Sequence, residues 1–144
     1  VFERFRLELN RYKQRPFLEA VAAACALVAT ADGEVSFSER ARLDSVIESL
    51  SQLRLFDPHE VVDAFDEHVA RLAEVDDGMA SMLDAVVAGT RAEGAADLLL
   101  RISAVMSRAD GRESADEHEA MLHICRAIKL PDTAVDEAYA AVQA

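Results

Sequence analysis

The 144-residue chain has no tryptophan, two tyrosines and six phenylalanines, so the large aromatic side chains that fill the core of a β-sandwich or barrel are scarce. Glycine occurs five times and proline three times, too few for the many tight turns of an all-β architecture. There are two cysteines, Cys25 and Cys125, in apolar stretches and in no CxxC or Cys/His cluster. That usage suits thiols that pack in a reducing compartment, and a disulfide between them is left open. Basic side chains are outnumbered 15 to 27 by acidic ones, and the net charge of −12 repels nucleic-acid phosphates and anionic membrane surfaces. The longest apolar run, from Phe17 to Ala31, falls short of the roughly 20 residues a bilayer requires and carries Glu19, so direct membrane insertion is not expected. The opening residues, Val1-Phe2-Glu3-Arg4-Phe5-Arg6, do not resemble a signal peptide. Phosphate-binding glycine loops, dinucleotide fingerprints and basic strips interleaved with aromatics are missing too.

What the chain does contain is a repeat. Ala31-Asp32-Gly33 with Glu39 recurs as Ala109-Asp110-Gly111 with Glu117, at a constant offset of 78 residues. Flanking apolar positions keep the same offset: Leu27 with Val105, Val28 with Met106, Leu43 with Met121, Val46 with Ile124 and Leu50 with Ile128. Such a pattern predicts two copies of one supersecondary unit around a pseudo-twofold axis.

The periodicity is helical throughout. Residues 1–13 form a charged amphipathic segment with Phe2, Phe5 and Leu9 at helical spacing, separated from the rest before Pro16. The run from Phe17 to Ala31 is apolar nearly all round, as a central helix would be. Gly33 is placed to end it, and Ser36 with Glu39 forms a capping box for a helix over about 37–52. Asp57-Pro58 opens a helix carrying Val61, Val62, Phe65, Val69 and Leu72, which breaks at Asp76-Asp77-Gly78. A further helix runs to about Arg91, and Gly94 interrupts before the second apolar helix, Ala95 to Ala109. Ser114 with Glu117 repeats the capping box, the next helix stops at Lys129-Leu130-Pro131, and a last one covers Asp132 to Val142. The expectation is an all-α bundle of seven to eight helices in one domain over 1–144: a leading helix at 1–14, a first half-repeat at 15–75 and a second at 76–144.

From Asp32 onward the first loop matches the second half of an EF-hand calcium loop, a carboxylate, a glycine, a serine and a terminal Glu. The first half fails, because Val28 and Thr30, and Met106 and Arg108 in the second copy, stand where oxygen ligands are required. Each loop still offers an aspartate, a carbonyl and a glutamate. Glu39 and Glu117 are equally well placed as capping-box partners. Asp32 and Asp110, read as lying in the last turn of a helix, face the negative end of its dipole at a cost of about 0.3–1 kcal/mol. A cation, a basic neighbour or water would offset it. Other constellations are weaker. His118 and His123 are five residues apart, one more than a zinc-protease helix uses; His59 and His68 read as surface or capping residues. Neither cysteine has a histidine nearby in sequence to act as a base.

Phe17-Leu18-Glu19-Ala20-Val21, Ala24 to Ala29, the two Ala-Asp-Gly loops in order, Phe56-Asp57, and Ile124-Cys125-Arg126 followed by Leu130 resemble the TerB family of tellurite-resistance proteins, over roughly residues 15–135. The resemblance implies an all-helical, pseudo-twofold, non-enzymatic and cytoplasmic stress-response protein. It also implies protein partners from the same operon, including a membrane component that would hold it peripherally at the inner membrane. Finally, it implies an acidic patch for a divalent cation such as Ca²⁺ or Mg²⁺. Carried onto this chain, the patch is Asp32 and Glu39 with Asp110 and Glu117, and Glu34 and Glu113 as outer members. Arg112 stands where the first loop has Glu34, so the half-sites are expected to differ. The competing expectation is a metal-free acidic interaction module whose loops are helix caps.

Overall fold

The longest apolar run becomes the helix around which the others gather. In a computed structural model that describes residues 15–31, 37, 40–41, 43–45, 48, 58–74, 77–107 and 115–142, helix α1 spans Arg15–Ala29. From Phe17 to Ala29 every residue except Glu19 is buried. Little of it meets water because α3 (Gly78–Gly89), α2 (Pro58–Glu74) and α4 (Ala95–Ser107) all pack against it. α5 (Ala115–Ala127) touches α1, α3 and α4, and α6 (Thr133–Val142) closes the outer side of α4. Helical residues are also described at 37, 40–41, 43–45 and 48, with Leu43 buried. The fold is all-α, with no strand among the described residues.

The remaining helices bury one face each. On α2, Val61, Ala64, Phe65 and His68 are buried while Asp63, Asp66 and Glu67 are exposed, the three-to-four residue spacing of an amphipathic helix. α4 is buried along almost its whole length, with Ser103 donating its hydroxyl to the Leu99 carbonyl at 2.9 Å so that no polar group is left unmet. α1 and α3 approach closely because the contact is made of small residues. A Cβ on Gly89 would lie 2.2 Å from the Pro16 carbonyl oxygen and 2.5 Å from the Ala20 Cβ.

Helix ends follow local chemistry. α1 begins one residue before Pro16, not after it as expected, because a proline in the first turn lacks an N–H that would have no helical partner there. α5 ends in a Schellman motif: Leu130 N–H bonds the Cys125 carbonyl at 3.0 Å, and Lys129 N–H bonds that of Arg126 at 3.1 Å. Lys129 therefore sits at φ 60°, a conformation glycine adopts without strain. Between α3 and α4, Gly94 takes φ 84°.

α1 ends at Ala29, and Ser107 is the last described residue of α4. Matched positions along the chain do not by themselves establish a twofold axis in space. The expected glycine stops Gly33 and Gly111, and the capping serines Ser36 and Ser114, lie outside the described residues.

Candidate functional site

α1 stops at Ala29 because Thr30 turns back on it. Its backbone N–H and its hydroxyl both donate to the Ala26 carbonyl, at 3.0 and 2.7 Å, and Ala31 N–H tightens onto Val28 at 3.3 Å. The turn at Thr30 and Ala31 is the last described part of the first acidic loop, and Asp32 and Asp110 lie outside the described residues.

Of the six expected ligands, Asp32, Glu34, Glu39, Asp110 and Glu113 lie outside the described residues. Glu117 is described, and it is 5% exposed in the first turn of α5, two residues after the helix starts. That position is the third of the helix, where a capping-box glutamate belongs and where the positive end of the helix dipole favours a carboxylate. Burial is the unexpected part, since taking a carboxylate out of water is costly unless charges or donors surround it. The same end of the second half is tied down by Ser107, the last residue of α4, whose buried hydroxyl hydrogen-bonds the Tyr139 hydroxyl on α6. Among the described residues, no group of three or more His, Cys, Asp and Glu side chains converges as a metal cluster.

His68 overturns the surface or capping role expected of it. It is 7% exposed on α2, and its Nε2–H donates to the Glu19 carboxylate of α1 at 3.1 Å. The signal was present in Glu19, a single acid in a helix buried all round, which must meet a donor on whatever packs against it. Two further pairs have no signature in sequence spacing. Arg40 reaches Asp66 on α2 at 3.0 Å and lies over the Phe65 ring at 5.6 Å. Arg126 forms a two-pronged bridge to Asp132 at 3.3 and 3.1 Å, which holds the Asp132 carboxyl below its ordinary range.

Both thiols are free and buried. Burial in the core pushes Cys25 up to about 12. Cys125 is raised by burial and then by the nearby Asp132 carboxylate, with Arg126 opposing, and its S–H donates to the Pro131 carbonyl at 3.1 Å. Nucleophilic cysteines need the opposite shift, so these two are packing residues in the described environment.

The architecture defines a class: an acidic all-α domain built on a buried central helix, in which no described helix is long and apolar enough to cross a membrane. The family model for tellurite resistance protein TerB matches residues 18–140, and the chain belongs to that family. It is 28% identical over 101 residues to the tellurium resistance protein TerB of an Alcaligenes species, an alignment covering 69% of this chain and 83% of that protein. No solved structure matches it.

Proposed function

We propose that this protein serves in resistance to tellurite or a related chemical stress as a non-enzymatic, cation-responsive adaptor. Membership of the TerB family supports the stress role. Asp32, Glu34, Glu39, Asp110, Glu113 and Glu117 would hold a hard divalent cation, Ca²⁺ or Mg²⁺, because carboxylate and carbonyl oxygens select such ions over soft ones. The observation that carries the reading is the burial of Glu117 at the edge of the second acidic loop. A carboxylate taken out of water needs charge or donors around it, and a bound cation beside the loop would supply that charge. Ion binding would bias the surface offered to protein partners of the same operon, one of them in the membrane, with the protein itself cytoplasmic.

Titration with Ca²⁺, Mg²⁺, Mn²⁺ and Zn²⁺, followed by thermal melting, tests the proposal. An ion present at a hundred times its Kd adds about 2.7 kcal/mol to stability, several degrees in Tm for a domain of this size. Paired Asp32→Asn and Asp110→Asn substitutions should abolish the rise, and Glu117→Gln should reduce it. No response to any ion at millimolar concentration defeats the metal reading.

The second reading, a metal-free interaction module, is favoured by Phe37, which is 91% exposed just beyond the first acidic loop. In that case the Asp32→Asn, Asp110→Asn variant keeps its partner and changes only the salt dependence of binding.

A further inference from the structure

Among the described helices, α2, α3, α4 and α5 all pack on α1, whereas α6 packs on α4 and α5. The side chains that α6 buries are Ala134, Val135, Ala138 and Tyr139, so apart from the tyrosine it brings little apolar area to the contact. Tyr139 is 4% exposed, and its hydroxyl pairs with that of the buried Ser107 on α4. The residues 78 positions earlier in the chain are Val61 and Ala29, both buried and both apolar. Val61 belongs to α2, which also buries Phe65 and joins α1 through His68 and Glu19. The hold of α6 on α4 thus rests on a polar pair where the first half of the chain has two apolar residues.

The connection to α6 is built as a pivot. Residues 128–132 lie outside any helix, with Lys129 at φ 60°. The Cys125 S–H holds the Pro131 carbonyl at 3.1 Å, which fixes the pivot to α5, while the Arg126–Asp132 bridge beside it is exposed. With ten residues, α6 is shorter than the roughly 12–15 a helix needs to persist alone, so leaving α4 and melting are one event.

We propose that α6 is a latched strap: it leaves α4 and unfolds as a unit about residues 128–132 while α1 to α5 stay folded, and the Ser107–Tyr139 hydrogen bond is the latch. The domain then has a closed and an open state that differ in the surface α4 presents, with the packing around α1 common to both.

Native-state hydrogen exchange of the full chain, in urea below the unfolding transition, tests this. Amides of residues 137–142 are expected to exchange together, at least about tenfold faster than the slowest amides of α1. Their urea dependence should be weaker, because opening the strap exposes less surface than global unfolding. Tyr139→Phe, which keeps the ring, should speed exchange in α6 about fivefold, and Ser107→Ala, which deletes a single oxygen, should do the same. The double variant should be no faster than either single, since both act through one bond. Gly89→Ala weakens the contact of α1 with α3, which the open state keeps, so it should speed exchange in α1 and leave α6 unchanged. Exchange in α6 that follows Gly89→Ala, or that matches α1 in rate and urea dependence, overturns the strap. Exchange in α6 unchanged by both single substitutions, or effects that multiply in the double variant, overturn the latch and the proposal with it.

Discussion

Adding one methyl group at Gly89 tests the packing at the centre of the fold. A Cβ there would stand 2.2 Å from the Pro16 carbonyl oxygen, 2.9 Å from its carbon and 2.5 Å from the Ala20 Cβ. Comfortable contacts are about 3.5–4.0 Å, so α3 and the start of α1 must separate by about 1 Å or more, or tilt. Two of the obstructing atoms belong to backbone, which no side-chain rotation can relieve. Overpacking of this kind costs about 1–3 kcal/mol. Alanine's helix preference returns at most about 1 kcal/mol, and less at the last residue of a helix. Gly89→Ala is therefore expected to destabilise the domain by about 1–2 kcal/mol, a fall of about 3–8 °C in Tm. Urea and thermal unfolding followed by far-UV circular dichroism measure it. Adding Ala20→Gly to Gly89→Ala should recover only part of the loss, because it clears the Ala20 methyl and leaves the Pro16 carbonyl in place. A Gly89→Ala protein as stable as the parent, or more stable, would refute the close approach of α1 and α3.

Lys129→Gly should work the other way. Its left-handed φ of 60° costs a non-glycine residue about 1–2 kcal/mol, part of which glycine gives back through its freer unfolded chain, so a net gain of about 0.5–1 kcal/mol is expected in urea unfolding; a loss would contradict the Schellman geometry. Alkaline pH should destabilise the protein through Cys25. Its folded-state value near 12 lies above the ordinary 9.0, so the buried thiol's contribution is complete below pH 9 and is lost as pH rises from 9 toward 12. The slope approaches about 1.4 kcal/mol per pH unit. Cys25→Ala should flatten that limb of the stability profile, and an unchanged limb would place the thiol in contact with water.

Sequence periodicity was enough for the all-α class, the burial of α1 and α4, and the breaks at Asp76-Asp77-Gly78, Gly94 and Lys129-Leu130-Pro131. Each rests on interactions within a few residues, which spacing along a chain records directly. Pairings across the fold were not legible in that way. Glu19 announces that it needs a donor, but that the donor is His68, 49 residues away, depends on how α2 lies on α1. Ser107 and Tyr139, Arg40 with Phe65 and Asp66, and the contact of Gly89 with Pro16 are likewise products of docking. For the candidate site, the repeat of acidic loops was visible as a pattern of residue types, and Glu117 was singled out as either ligand or cap. Its burial was decided by the tertiary structure, because the solvent exposure of a residue in the first turn of a helix is set by what other helices bring against it. By itself, then, the sequence determined the all-α class, the helices that are buried and the recurring carboxylates as residue types, all consequences of local pattern. Which faces meet and which charges lose their water follow from long-range packing, a property of the folded chain as a whole.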